Sequence, residues 1–301
     1  MYFRCALIVI GVVGTATNGF VLYALVASKQ HKKQVLIVNQ NALDLFTSLM
    51  MIVCHSLKIC NFDLTGSAGY WLCTLLLTEN LVWCGIISSV INLASITVER
   101  YLKVVHSTWS KKKLRNWIIY STMAFSWIGG FLYNEAVIFS TTAVIDGACY
   151  PYAIWVSDTA SKIYFLWSFL GFYLLILFIF IFCYWRILLV IRFQAKVMAG
   201  HAAAGPSTAQ PHAQAQSNQI QSNIIKTMIL VSGLYAILWL PNYIYFLNLT
   251  LNPNPPPLDG GYYATVILAY LYMCTNPFIY ATKFDPVKEV LLRLIPCKNS
   301  G

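Results

Sequence analysis

The sequence predicts an all-α membrane protein: a bundle of seven transmembrane helices followed by a short amphipathic eighth helix. Three observations predict it. Of 301 residues, 58% are hydrophobic and only 10% charged, whereas a soluble domain carries about 25% charged residues. Seven apolar segments each reach the roughly 20 residues needed to cross about 30 Å of hydrocarbon. The basic residues are also one-sided: 17 of the 20 fall at the ends and loops following spans 1, 3 and 5, at the start of span 6 and in the tail. Basic loops stay in the cytoplasm. The N-terminus is therefore expected outside and the C-terminus inside, in a multi-pass plasma-membrane protein. The net charge of +10 reads as topology and contact with anionic membrane lipids, with no nucleic-acid partner.

The elements follow in order. Span 1 covers 7–27; the six residues before it are too few for a cleavable signal peptide, so the span is expected to act as its own insertion signal. Span 2 covers 35–57 and holds Asp44, the one carboxylate deep within a span, where an unpaired charge is costly. Spans 3 (74–104) and 5 (160–193) are longer than a bilayer requires, which predicts tilt or projection beyond it. Span 4 covers 116–139. The segment 199–223 is rich in Ala, Gln, Ser and Pro and lacks charged residues, and is expected as a flexible cytoplasmic loop. Span 6 covers 222–247; beyond it Asn248 opens an Asn-Leu-Thr glycosylation sequon, close enough to the membrane that an unmodified asparagine is the alternative. Span 7 covers 262–282.

Pro241 and Pro277 are the only prolines inside spans. Each removes a backbone donor and kinks its helix, and in hydrocarbon the freed carbonyl must find a partner within the protein. Such an expense suggests a hinge or a site. After span 7, Val287, Val290, Leu291 and Leu294 fall at i, i+3, i+4 and i+7, which predicts an amphipathic surface helix over 285–295. Cys297 at its end is a candidate for palmitoylation or a plain thiol. Of the nine cysteines, Cys73 and Cys149 lie on the oxidising side, where a disulfide would tether the loop before span 5 to the top of span 3. Cys5 and Cys60 lie near the same edge and leave a second bridge open.

The motifs of this chain resemble those of the rhodopsin-like (class A) G-protein-coupled receptors over its whole length. Asn18 stands in GTATNG, Asn39 and Asp44 in NQNALDL, Glu99-Arg100-Tyr101 at the end of span 3, Trp127 in span 4, Tyr184 in span 5, Trp239-Leu240-Pro241 in span 6 and Asn276-Pro277-Phe278-Ile279-Tyr280 in span 7. The resemblance implies a receptor that converts binding of an extracellular small molecule or short peptide into activation of a heterotrimeric G protein. It implies that Arg100 leaves Glu99 on activation, that Trp239 packs at the pivot of helix 6, and that Tyr184 and Tyr280 swing inward. Asp44, Ser89 and Asn276, with Asn18 close by, would form a sodium pocket; a protonated Asp44 in a hydrogen-bond network is the other reading. No further cofactor is implied.

Four departures stand out. Ile176 replaces the expected helix 5 proline, and Tyr235 the commoner Phe. Cys73 lies 27 residues before Arg100 rather than 25, so the top of helix 3 is expected to bulge. Gln221 stands where many members carry an acid that locks Arg100.

Val82 occupies the position of the amine-binding Asp, and Tyr270 that of the retinal lysine. Amine and retinal ligands are thereby disfavoured. Glu79, Val82, Trp83, Ile86, Trp239, Asn242, Tyr243, Phe246, Tyr263, Val266 and Tyr270 are expected to face an outer, mainly aromatic pocket. Glu79 either anchors a cationic ligand group or reaches the wet surface. Rival functions fare worse. The five histidines form no metal cluster for an enzyme, a pump lacks its lysine or carboxylate chain, and a transporter lacks visible repeats. An orphan receptor that signals without ligand, or serves as a dimer partner, is the alternative within the same fold.

Overall fold

In the computed structural model, residues 1–60, 63–202, 211–252 and 259–294 are described; side chains at 195–202, 211–222, 224, 285, 286 and 294 are not. Helices α1 (Tyr2–Ala27), α2 (Val35–Cys60), α6 (Asn116–Thr141) and α10 (Gly260–Lys283) each form one span. At 1.5 Å per residue, the 26 residues of α1 reach about 39 Å, more than the hydrocarbon requires. Among the described residues, six helical stretches are long and apolar enough to cross a membrane. The fourth span is equally long, but Asn116, Trp117, Tyr120, Asn134 and Glu135 dilute its hydropathy.

Span 3 is not one helix. It comprises α3 (Gly66–Leu72), a π-helical turn at Cys73–Leu77 and α4 (Asn80–Val105), with Glu79 at the join in the left-handed region, φ 61°; the short helix α5 (Ser107–Lys113) follows. A π turn takes one residue more than an α turn, and the left-handed join breaks the helix again. The two extra residues between Cys73 and Arg100 are absorbed there, as the expected bulge. Span 5 is likewise α7 (Asp158–Ser168), a π turn at Phe169–Leu174 and α8 (Leu175–Ala202). Its irregularity arises without the proline that Ile176 replaces.

The segment 199–223 corrects an expectation. Helix α8 runs to Ala202 and α9 starts at Pro211 and continues to Leu251, leaving only 203–210 outside the described residues. Ala and Gln are strong helix formers, so a segment rich in them can extend both flanking helices. The Asn248 sequon falls in the last turns of α9, with Asn248 exposed.

Helix α4 sits centrally against α2, α6 and α8, while α10 packs on α1 and α9. Close approach requires glycine at Gly130, where an added Cβ would come within 2.6 Å of the Cys84 carbonyl on α4. Between α6 and α7, β1 (Ala143–Ile145) and β2 (Ala148–Tyr150) pair antiparallel through a two-residue turn, Asp146 and Gly147, both at positive φ. Such a turn matches the strand twist. It sets Cys149 beside Cys73, and the two form a disulfide with Cα atoms 5.4 Å apart. Cys5 and Cys60 remain free thiols. After span 7, α11 (Asp285–Leu294) turns Val287 inward against α1 and α10 and leaves Lys288 and Arg293 exposed. Cys297 lies outside the described residues.

Candidate functional site

Under the hairpin, a cavity of about 370 Å³ opens between the helices, within the size range of small-molecule sites. Glu79, Trp83, Ile86, Trp239, Asn242, Tyr243, Phe246, Val266 and Tyr270 line it. Two expected members do not. Trp83, Ile86, Ile87 and Val90 define the inward face of α4, and Val82, one residue off that face, is fully buried in the helix packing. Tyr263 packs on Phe3 with tilted rings 4.6 Å apart and is 40% exposed.

Several lining residues carried no sequence signal. Tyr133, Tyr152, Tyr164, Phe165 and Phe172 form an aromatic wall from α6, the segment after β2 and span 5. Span 5 is apolar on every side, so no periodicity marks its inward face. Burial pushes the Tyr152 phenol up to about 12.

Glu79 is the cavity's one carboxylate and is satisfied within the protein. Lys58 Nζ donates to Oε1, the Tyr270 hydroxyl donates to Oε2 at 2.7 Å, and His55 Nε2 lies 3.7 Å from Oε1. The Arg4 guanidinium in turn donates to the Lys58 carbonyl. Glu79, its side chain 17% exposed, thus offers no unpartnered oxygen. Lys58 was absent from the sequence reading because it sits at the end of span 2, where a lysine looks like an interfacial anchor.

From the cavity an unbroken series of ring contacts runs toward Arg100. Tyr270 meets Trp83 at 6.3 Å, Trp83 meets Trp239 at 6.1 Å, and Trp239 meets Tyr235 at 6.4 Å. Tyr235 meets Phe180 at 5.8 Å, and Phe180 meets Tyr184 at 6.3 Å. The Tyr184 hydroxyl then lies 3.0 Å from Thr97 Oγ1 and 3.1 Å from Ser232 Oγ. At the far end Arg100 pairs with Glu99 at 3.4 Å and donates to Gln34 Oε1 at 2.5 Å. Glu99 also takes Lys103 at 2.6 Å. Tyr101 meets Phe182 with tilted rings 5.8 Å apart, and Tyr280 is buried. The Gln221 side chain lies outside those described. Pro241 and Pro277 lie within α9 and α10.

The polar centre brings together Asp44, Ser89 and Asn276. Ser89 Oγ donates to Asp44 Oδ1 at 2.6 Å and Asn276 Nδ2 to Oδ2 at 2.8 Å. Asn18 bonds elsewhere. Its Nδ2 donates to the Met273 carbonyl at 3.1 Å and the Gly14 carbonyl at 2.9 Å. Met273 precedes Pro277 by four residues, so its carbonyl is the one that proline orphans, and Asn18 is the partner that the kink demands. Gln40, which no motif singled out, donates to both Asp44 oxygens at 3.4 Å and to Ser89 Oγ. A sodium ion needs acceptor oxygens turned toward it. Here N–H and O–H donors, rather than ligand oxygens, converge on the carboxylate, while Asn18 Oδ1 and Asn276 Oδ1 lie buried without a partner.

Residues 17–280 match the family described as 7 transmembrane receptor (rhodopsin family). The somatostatin receptor type 5 of Rattus norvegicus is 25% identical over 96% of this chain and 76% of its own length. The alpha-1D adrenergic receptors, among them that of Rattus norvegicus, are 30% identical over 73 residues, 24% of this chain and 13% of theirs. The crystal structure of squid rhodopsin superposes with a TM-score of 0.76 at 20% identity, covering all of this chain and 87% of that one.

Proposed function

Because the chain belongs to the rhodopsin family of seven-transmembrane receptors, and so to a family of receptors rather than enzymes, we propose that it converts binding of an extracellular small molecule or short peptide into activation of a heterotrimeric G protein. The N-terminus and hairpin face outward in this reading, as the basic residues argue. One observation carries it: the same Trp239 that floors the cavity is a link in the ring series leading to Tyr184. A ligand that moves Trp239 has a packed route to the end of α4 that holds Arg100. The cavity walls favour a ligand with a large aromatic or apolar surface, and the occupied Glu79 speaks against an ammonium anchor.

The test is second-messenger output in cells expressing the chain, with and without serum, beside Arg100→Ala displayed at equal surface level. A serum-dependent response lost in Arg100→Ala is expected. A response that survives in Arg100→Ala removes G-protein coupling through this residue. A second reading, ligand-independent signalling, draws on Arg100 being held by neutral Gln34 besides its neighbour Glu99. High output without serum, abolished by Arg100→Ala, distinguishes it.

A further inference from the structure

We infer that the Gln40 carboxamide stands in for a cation beside Asp44, so that this protein maintains its buried carboxylate without sodium. The orientation of the amide is set from the backbone outward. The Leu36 carbonyl can only accept, and it accepts from Asn92 Nδ2 at 3.0 Å. The same Asn92 amino group donates to Gln40 Oε1 at 2.8 Å. Gln40 Nε2 must then face Asp44 and Ser89. The flipped amide would set Oε1 against the carboxylate and two amino groups against each other.

With that orientation fixed, three side chains direct donors at Asp44. A carboxylate accepts at about four lone-pair positions. Ser89 takes one on Oδ1, Asn276 takes one on Oδ2, and Gln40 approaches both oxygens. Gln40 and Asp44 are fully buried and Ser89 nearly so, so bulk water does not share the task. The amide's partial positive charge faces the carboxylate as a cation would, but it is tethered to α2 one turn away and needs no recruitment from solution. A second chain of bonds keeps it there. Asn39 Nδ2 donates to Asn92 Oδ1 at 2.8 Å, and Trp127 Nε1 donates to Asn39 Oδ1 at 2.9 Å. Gln40 is therefore a positioning residue for Asp44, held in turn by α4 and α6.

The test compares thermal unfolding of the purified full chain in equimolar NaCl and KCl, for wild type, Gln40→Leu and Asp44→Asn. Wild type should melt at the same temperature in both salts. Gln40→Leu, which removes the amide and opens the carboxylate, should melt lower in KCl and recover about 2–4 °C in NaCl. A sodium-specific rise in wild type that Asp44→Asn abolishes would overturn the inference. So would a folded Gln40→Leu that melts identically in the two salts, since the amide would then replace nothing. If Gln40→Leu yields no folded protein, Gln40→Glu supplies the same comparison: a second carboxylate beside Asp44 should create sodium dependence, and its absence counts against the proposal. Unfolding needs neither ligand nor G protein, so these outcomes stand apart from whether the chain signals.

Discussion

Around the cavity, spans 3 and 5 leave α-geometry at two π turns and at left-handed Glu79, and side chains meet mostly as rings. Around Asp44, a third of the way from the other end, α2, α4 and α10 stay α-helical, and side chains meet as directed amide and hydroxyl bonds. Rings tolerate small displacements because their contacts are many and weak. Amides do not, because each lost partner leaves a buried donor or acceptor unmet. The cavity half is therefore built to be shaped, and the polar centre to hold one arrangement. Substitutions in the two halves should fail in different ways.

The largest effect is expected where the cavity half is held by a covalent bond. Cys149→Ser releases the hairpin from Cys73, leaving the Leu64 N–H to Gly147 carbonyl bond of 3.0 Å as a remaining tie. Loss of about 2–4 kcal/mol is expected, read as a lower melting temperature of the purified protein. An unchanged melting temperature would show that the helices alone define the cavity. Next comes Asn92→Ala in the polar centre. It strips a partner from the Leu36 carbonyl, Gln40 and Asn39 together, and should cost roughly 1–3 kcal/mol. If Asn92→Ala melts like wild type, the centre is no more exacting than the ring-packed half.

Lys58 and Glu79 test the one charged contact of the cavity half. Lys58→Met leaves Glu79 with its charge and no cation at bonding distance, whereas Lys58→Met combined with Glu79→Gln leaves a neutral amide beside Tyr270. The double variant should melt above the single one, because removing one partner of a sheltered pair costs more than removing both. A double variant that is no more stable than Lys58→Met would mean that solvent, not Lys58, satisfies the carboxylate.

The sequence carried the bundle in its apolar runs, and those runs fell on helices because hydrocarbon leaves the backbone no other open choice. Asp44 was legible for a similar reason, since a lone carboxylate in a span needs partners, whereas Ser89 and Asn276 were named beside it only through the resemblance to the receptor family. Gln40 and Gln34 were not legible. A glutamine on a helix, or just before one, looks like surface filler until the carboxylate or guanidinium beside it is known. Glu79 was legible as a pocket residue, but the backbone break at it showed only as two surplus residues in a spacing, which announces an irregularity but not its place. The aromatic wall from span 5 was hidden by that span's uniform apolarity. The helical ends of 199–223 were hidden by composition, which reports burial more faithfully than helix.

The smallest expected effect lies on the boundary between the halves, at Tyr235. Its hydroxyl donates to the Phe172 carbonyl in the π turn of span 5, and the Tyr173 hydroxyl donates back to the Ala236 carbonyl at 2.9 Å. The two tyrosines clasp spans 5 and 6 in both directions. Tyr235→Phe keeps the ring contacts with Trp239, Tyr272 and Phe180 and deletes one hydrogen bond, so about 0.5–1.5 kcal/mol is expected. Tyr173→Phe should cost a similar amount. What decides between halves is their coupling. If the clasp behaves as a directed network like the polar centre, the double variant should lose measurably less than the two single losses combined, since breaking either bond already loosens the other. Strict additivity would assign Tyr235 to the tolerant, ring-packed half, its hydroxyl an accessory to a contact that the rings alone maintain.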